Sequence, residues 1–229
     1  MIQFEQHNDA LPSLHDTFAA HGVVRINNFL DADVAQSLAN DADSVSFKNA
    51  FFLDGKNQEL SDDDIRAMPA DKVRNLYRNL YKLASTGVGF LYGRHKLSEG
   101  ETGNFDQVIQ SLNSERCLSL INAITNKQNL KSADGQVTRY RVGDYLTRHI
   151  DNIQGETREI AYVLGLSPEW HPDWGGLLQF FELNGTPTNS YMPEFNSLTI
   201  FDVNKVHSVT SIAPFSPKNR YSVTGWFRS

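Results

Sequence analysis

The patterning of this chain predicts an α+β architecture, with N-terminal helices packed against a C-terminal β sandwich or jelly roll. Three observations predict it. From residue 137 onward, short runs rich in Val, Ile, Tyr, Phe and Thr alternate with Gly, Pro, Asn and Asp. Before residue 137 the apolar residues mostly recur at helical spacing. No linker-like stretch divides the two parts, so residues 1–229 read as one composite domain, with 1–136 as mainly helical support and loop and 137–229 as the β core.

The N-terminal elements follow from local chemistry. Pro12 suits a first helical turn and Gly22 a helix end, which predicts a helix over 12–21. Val23, Val24, Arg25 and Ile26 read as the one strand of the first third. Asp31 is an N-cap residue for a helix running to about residue 40. Residues 57–72 are polar and acidic, and Ser61 and Asp64 have capping-box spacing. Asp62, Asp63 and Asp64 could be taken for metal ligands, but a solvated helix start accounts for them, because carboxylates suit a helix N-terminus. Five glycines between 86 and 104 predict a loop, and its Phe90, Leu91 and Tyr92 suit a binding lid or simple packing. Phe105, Val108, Ile109 and Leu112 share one face of a helix predicted over 105–126. The predicted strands of the β core are 137–142, 160–166, 177–183, 197–202, 207–212 and 221–227.

Composition narrows the function classes. The chain is 40% hydrophobic and 21% charged, as a globular protein is, and its net charge of −6 disfavours general nucleic-acid binding. The one cysteine, Cys117, cannot form an intramolecular disulfide and lies in an apolar helical pattern, so a buried thiol in a reducing compartment is expected. No targeting segment or membrane-length apolar run is read. A soluble cytoplasmic protein is therefore expected, with no membrane or nucleic-acid partner and no oligomeric state indicated.

The sequence His-x-Asp occurs at His7/Asp9, His149/Asp151 and His171/Asp173. The first lies near a terminus, and Pro172 sets the third in a turn-rich segment. The second follows Tyr145, Leu146, Thr147 and Arg148, which suit an extended chain. On a strand His149 and Asp151 would share a face, with Ile150 turned away into packing. His207 begins a later strand. Two imidazoles and one carboxylate can occupy one face of a metal ion and leave the other open, which favours Fe(II) and oxygen chemistry. Arg220 and Ser222 also alternate on a strand. A guanidinium fork with a nearby hydroxyl suits the far carboxylate of a dicarboxylate such as 2-oxoglutarate. Tyr140 could add a phenolic donor.

Tyr140-Arg141-Val142-Gly143-Asp144-Tyr145, leading to His149 and Asp151 and then to His207, Arg220-Tyr221-Ser222 and Gly225-Trp226-Phe227, resembles the prolyl-hydroxylase-like branch of the Fe(II)/2-oxoglutarate dioxygenases. Leu166–Trp170 with Trp174–Leu178 looks like a subgroup that includes ribosomal-protein prolyl hydroxylases. The resemblance covers about residues 137–229. It implies a double-stranded β-helix core and the cofactor set of Fe(II), 2-oxoglutarate and O2. It also implies iron ligation by His149, Asp151 and His207, cosubstrate binding by Arg220, Ser222 and Tyr140, and substrate contacts from Tyr145, Arg158 and Trp226. No catalytic group beyond the metal centre is expected. The expected reaction is hydroxylation of a C–H bond of a prolyl residue in a protein. A free amino acid or other small molecule is the alternative substrate, and a zinc hydrolase or a noncatalytic module are the competing classes. Relatives often carry an aromatic residue where this chain has Gly165.

Overall fold

The computed structural model describes residues 1–97 and 103–229. It holds seven α-helices and one curled sheet of antiparallel strands. The helices are α1 (Phe4–Asp9), α2 (Leu11–His21), α3 (Ala32–Ala42), α4 (Asp62–Ala67), α5 (Ala70–Ala84), α6 (Asn104–Leu112) and α7 (Glu115–Thr125). The strands are β1 (Val23–Asn27), β2 (Lys48–Leu53), β3 (Lys56–Ser61), β4 (Phe90–Lys96), β5 (Ser132–Ala133), β6 (Gln136–Tyr140), β7 (Tyr145–His149), β8 (Arg158–Gly165), β9 (Leu178–Phe181), β10 (Pro187–Tyr191), β11 (Ser197–Asp202), β12 (Val206–Val209) and β13 (Arg220–Arg228).

The order β1-β11-β8-β13-β6-β4-β7-β12-β9-β10 runs round the molecule, with the β2–β3 hairpin attached to β4 and β5 to β13. Alternation along the central strands separates two faces. Ile160, Tyr162 and Leu164 of β8, Leu198 and Ile200 of β11, and Val223 and Phe227 of β13 face the helices, where they pack with Phe18, Leu38, Leu112 and Ile121. Ala161, Phe180, Phe201 and Val209 join Tyr140 in a second core on the inner face. Burial of these two apolar faces is the main term holding the helices and the curled sheet together. Cys117 is buried in the first core, as its pattern predicts, and burial pushes its thiol pKa up to about 12.

The N-terminal third departs from its prediction. It carries the β2–β3 hairpin as well as β1, and residues 90–96 form β4 where a loop was expected. The glycines at 87, 89 and 93 hide the alternation of Phe90, Tyr92 and Arg94 against Leu91. The sheet supplies hydrogen bonds that local propensity does not foresee. Gly100, counted in that predicted loop, lies outside the described residues. The single helix expected over 105–126 is two, because Ser114 caps α7 and Asn113 ties both its side-chain amide and carbonyl to the backbone of Ala133 at 2.8 Å. The Ser61–Asp64 capping box forms as expected. Asp62, however, is not merely solvated. Its carboxylate accepts from Asn49 and Arg139 and pairs with Arg141, joining α4 and the hairpin root to β6.

Candidate metal and cosubstrate centre

The inner face of the curl encloses a cavity of about 560 Å³. His149 ends β7 and stands directly opposite His207 on β12, so a single cross-strand pair brings the two imidazoles together. Their ring centroids are 4.1 Å apart. Asp151 lies beyond the strand end, where its N–H donates to the carbonyl of Val203 at 2.9 Å. Its carboxylate is 3.5 Å from His149 Nε2 and 3.6 Å from His207 Nε2. One donor atom from each of the three residues falls within 4.8 Å of the others, and no other such trio of potential metal ligands occurs among the described residues. His7 is buried against Phe29, and His171 with Asp173 lies on an exposed turn, so neither pair joins a cluster.

The second nitrogen of each ring selects the tautomer. His149 Nδ1 lies 3.0 Å from the Thr147 carbonyl, and His207 Nδ1 lies 2.9 Å from that of Lys205. A carbonyl can only accept, so each Nδ1 carries the proton and each Nε2 keeps its lone pair toward Asp151. Burial, and then the neighbouring His149, push the pKa of His207 down to about 4, which keeps it neutral at physiological pH. For Asp151 burial pushes the pKa up, but its polar surroundings hold the carboxyl below its ordinary value, so it is ionised. Two neutral imidazole nitrogens and one carboxylate fit a divalent metal.

Arg220 opens β13 opposite Tyr140 of β6 and lines the same cavity. It is only 3% exposed, it pairs with no carboxylate among the described residues, and its Nε has no hydrogen-bond partner. Its guanidinium lies over the Tyr140 ring, 5.1 Å from the centroid, and that ring stacks on Tyr92 at 5.2 Å. Desolvation lowers its pKa from a value so high that it stays charged. A buried cation without an anion is costly, so the cavity fits an anionic ligand at this end. Gly176, at φ +66°, packs against its stem, since a Cβ there would sit 2.9 Å from Arg220 Cδ.

The remaining predicted residues divide. Tyr140, Arg158 and Trp226 line the cavity, and the Arg158 guanidinium stacks 3.7 Å from the Trp226 ring centroid. Tyr145 does not. A bulge between the His207–His149 and Val209–Leu146 pairs shifts the alternation, so Leu146 faces the cavity. Tyr145 instead packs with Phe51, Leu80 and Leu91, and its hydroxyl donates to the Leu80 carbonyl at 3.0 Å. Ser222 is also displaced from the wall. It is fully buried, and its hydroxyl pairs at 2.8 Å with that of Thr138, which does line the cavity. Ile150 is exposed at the mouth rather than packed. Thr138 and Arg148 also line the cavity and escaped the sequence reading, while Tyr92, read there as part of a lid or as packing, lines it from a strand. The β4 pairings with β2, β6 and β7 bring Tyr92 there.

Residues 135–228 match the family model of the 2OG-Fe(II) oxygenase superfamily. The prolyl 3-hydroxylase OGFOD1 of Xenopus laevis is 37% identical over 111 residues, which cover 45% of this chain and 21% of that protein. Its Mus musculus counterpart is 32% identical over 101 residues, covering 41% and 18%. This chain therefore aligns with only about a fifth of the length of these curated relatives. Among solved structures, a prolyl-4-hydroxylase of Pseudomonas putida aligns over 96% of this chain and 98% of its own, with a TM-score of 0.65 and 21% identity. A prolyl hydroxylase of Trichoplax adhaerens, solved with a hypoxia inducible factor peptide fragment, aligns over 99% and 92% with a TM-score of 0.68 and 19% identity. The curl is thus the double-stranded β-helix fold that the resemblance implies. The family's chemistry takes Fe(II), 2-oxoglutarate and O2, and the donor trio with its facing buried arginine fits that set. Residues 135–228 are thus similar to the 2OG-Fe(II) oxygenase superfamily, and the chain shares its fold with the prolyl hydroxylases of solved structure.

Proposed function

We propose that this chain hydroxylates a prolyl residue of a polypeptide, with 2-oxoglutarate and O2 as cosubstrates. The observation that carries the reading is Arg220, a buried and unpaired cation in the same cavity as His149, Asp151 and His207. A zinc hydrolase needs the three ligands but has no use for that cation. Bound Fe(II) supplies the oxidising chemistry that places oxygen on a C–H bond while 2-oxoglutarate becomes succinate and CO2.

This chain's residues do the holding and excluding. His149 and His207 offer Nε2, and Asp151 offers a carboxylate oxygen. Arg220 receives the far carboxylate of 2-oxoglutarate, with Tyr140 under the guanidinium and Thr138 on the same wall. Ser222 acts from behind, by fixing the Thr138 hydroxyl. Arg158 and Trp226 form a wall for the substrate. The apolar lining keeps bulk water from the reacting centre. The names of the relatives support a prolyl target. The lone buried cysteine suits a reducing, cytoplasmic setting, and no described helix is long and apolar enough to cross a membrane.

The test is a protein digest incubated aerobically with the enzyme and Fe(II), with and without 2-oxoglutarate. Mass spectrometry should find one added oxygen on prolyl residues only when 2-oxoglutarate is present. Oxygen added to free amino acids alone would move the reading to a small-molecule hydroxylase.

A further inference from the structure

Four arginines line the cavity: Arg94, Arg148, Arg158 and Arg220. Arg94 is paired with Glu59, and Arg158 Nε lies 2.7 Å from Glu156. Arg220 is buried and, on the reading above, reserved for the cosubstrate. Arg148 alone is both exposed at the mouth and without a carboxylate in ion-pair range among the described residues. On that same reading, the charges of bound Fe(II), the 2-oxoglutarate dianion, Asp151 and Arg220 cancel. The positive charge of Arg148 remains unanswered.

Arg148 is also held in place. Its guanidinium lies 5.6 Å from the Phe181 ring centroid at the end of β9. It passes over Gly185 in the β9–β10 turn, at φ +88°, where a Cβ would sit 2.5 Å from Nη1. A cation packed on an aromatic ring and over a bare glycine keeps less freedom to lose on binding than a free surface arginine. The rim beside it is apolar. Val88, Ile150 and Ile153 line the cavity, and all three are more than 40% exposed. Three exposed branched side chains around one mouth mark a surface that an apolar partner covers.

We propose that Arg148 is a specificity-determining residue that binds an Asp or Glu side chain of the polypeptide substrate, while Val88, Ile150 and Ile153 cover apolar residues next to the reacting one. This deepens the proposed function and rests on it for the polypeptide class. The preferred segment is extended, apolar around its reacting residue, and carries a carboxylate within reach of β7.

The test separates recognition from chemistry. A library of twelve-residue peptides with a fixed central proline and random flanks is passed over the full chain immobilised with Mn(II) and 2-oxoglutarate. The retained pool is sequenced, then incubated aerobically with Fe(II) enzyme and weighed. Retained peptides should be enriched about fivefold in Asp or Glu at one flanking position. Arg148→Lys should keep part of the enrichment, and Arg148→Glu should replace it with Lys or Arg. Gly185→Ser, which leaves the charge but fills the space under the guanidinium, should weaken the acidic preference without reversing it. An acidic preference that survives Arg148→Glu, a pool with no acidic preference, or no retention at all would each overturn the proposal. Acidic peptides that are retained but gain no oxygen would leave the recognition standing and remove the prolyl hydroxylation.

Discussion

On the proposed function, Arg220 is a cost to the empty protein and an asset to the loaded one. Its guanidinium is desolvated, and its Nε is unpartnered. Replacing even a buried ion pair with well-packed apolar side chains is often neutral or stabilising by about 1–4 kcal/mol, and an unpaired ion has no partner's attraction to lose. Arg220→Met should therefore raise the melting temperature of the ligand-free protein by several degrees and abolish its response to 2-oxoglutarate, as thermal shift would show. A lowered melting temperature would mean that the Tyr140 contact outweighs the desolvation. Asp151→Ala should leave the fold nearly intact and stop turnover, because it removes the one anionic donor of the proposed metal site. Succinate formation measured beside circular dichroism checks both halves of that statement.

At the level of strands and helices, close backbone approaches set the limits. A Cβ on Gly165 would lie 2.1 Å from the Glu194 carbonyl oxygen, so the end of β8 admits no side chain. This explains the missing aromatic residue noted in the sequence. Gly165→Ala should destabilise by about 1–3 kcal/mol in denaturant titration, as overpacking does. The β2–β3 hairpin is rooted differently, through Asp62 on α4. Burial pushes the Asp62 pKa up, but Asn49, Arg139 and Arg141 together outweigh it and hold it below 3.8. A depressed carboxyl pKa means stabilisation that is present above the ordinary value and lost as pH falls through the lowered one. Asp62→Asn should thus lower stability by about 1–3 kcal/mol at neutral pH. Its melting curve should converge with that of the parent protein only as pH falls through the lowered Asp62 value, where the parent loses the same charge.

Across the entire fold, the curl couples ligand binding to stability, because the site draws on both halves of one sheet. β7 and β12 bring the two imidazoles, and β6 and β13 bring Tyr140 and Arg220. β4 pairs with both β6 and β7 and so joins the halves. Ligands that bind only the assembled site stabilise it by mass action, about 2.7 kcal/mol at a hundredfold excess over the dissociation constant. Mn(II) and then 2-oxoglutarate should each raise the melting temperature, and a chelator should reverse both increments. Arg220→Ala should retain the first increment and lose the second. Loss of both would mean that Arg220 supports the metal ligands rather than the cosubstrate.

Side-chain type and order along the chain made His149, Asp151, His207 and Arg220 legible in the sequence, along with the α2 cap at Gly22, the Ser61–Asp64 box and six of the β-core strands. These are local signals, and period-two alternation survives in any register. Tertiary pairing settled the rest. The β7 bulge turned Tyr145 away from the site that a regular strand would have shared with it. The contact between Thr138 and Ser222 placed a hydroxyl behind the wall instead of on it. Pairing with β6 and β7 made a strand of the glycine-rich stretch holding Tyr92. A bulge, a cross-strand contact and an inserted strand all depend on what lies across the sheet, and the sequence within a few residues carries no record of that neighbour.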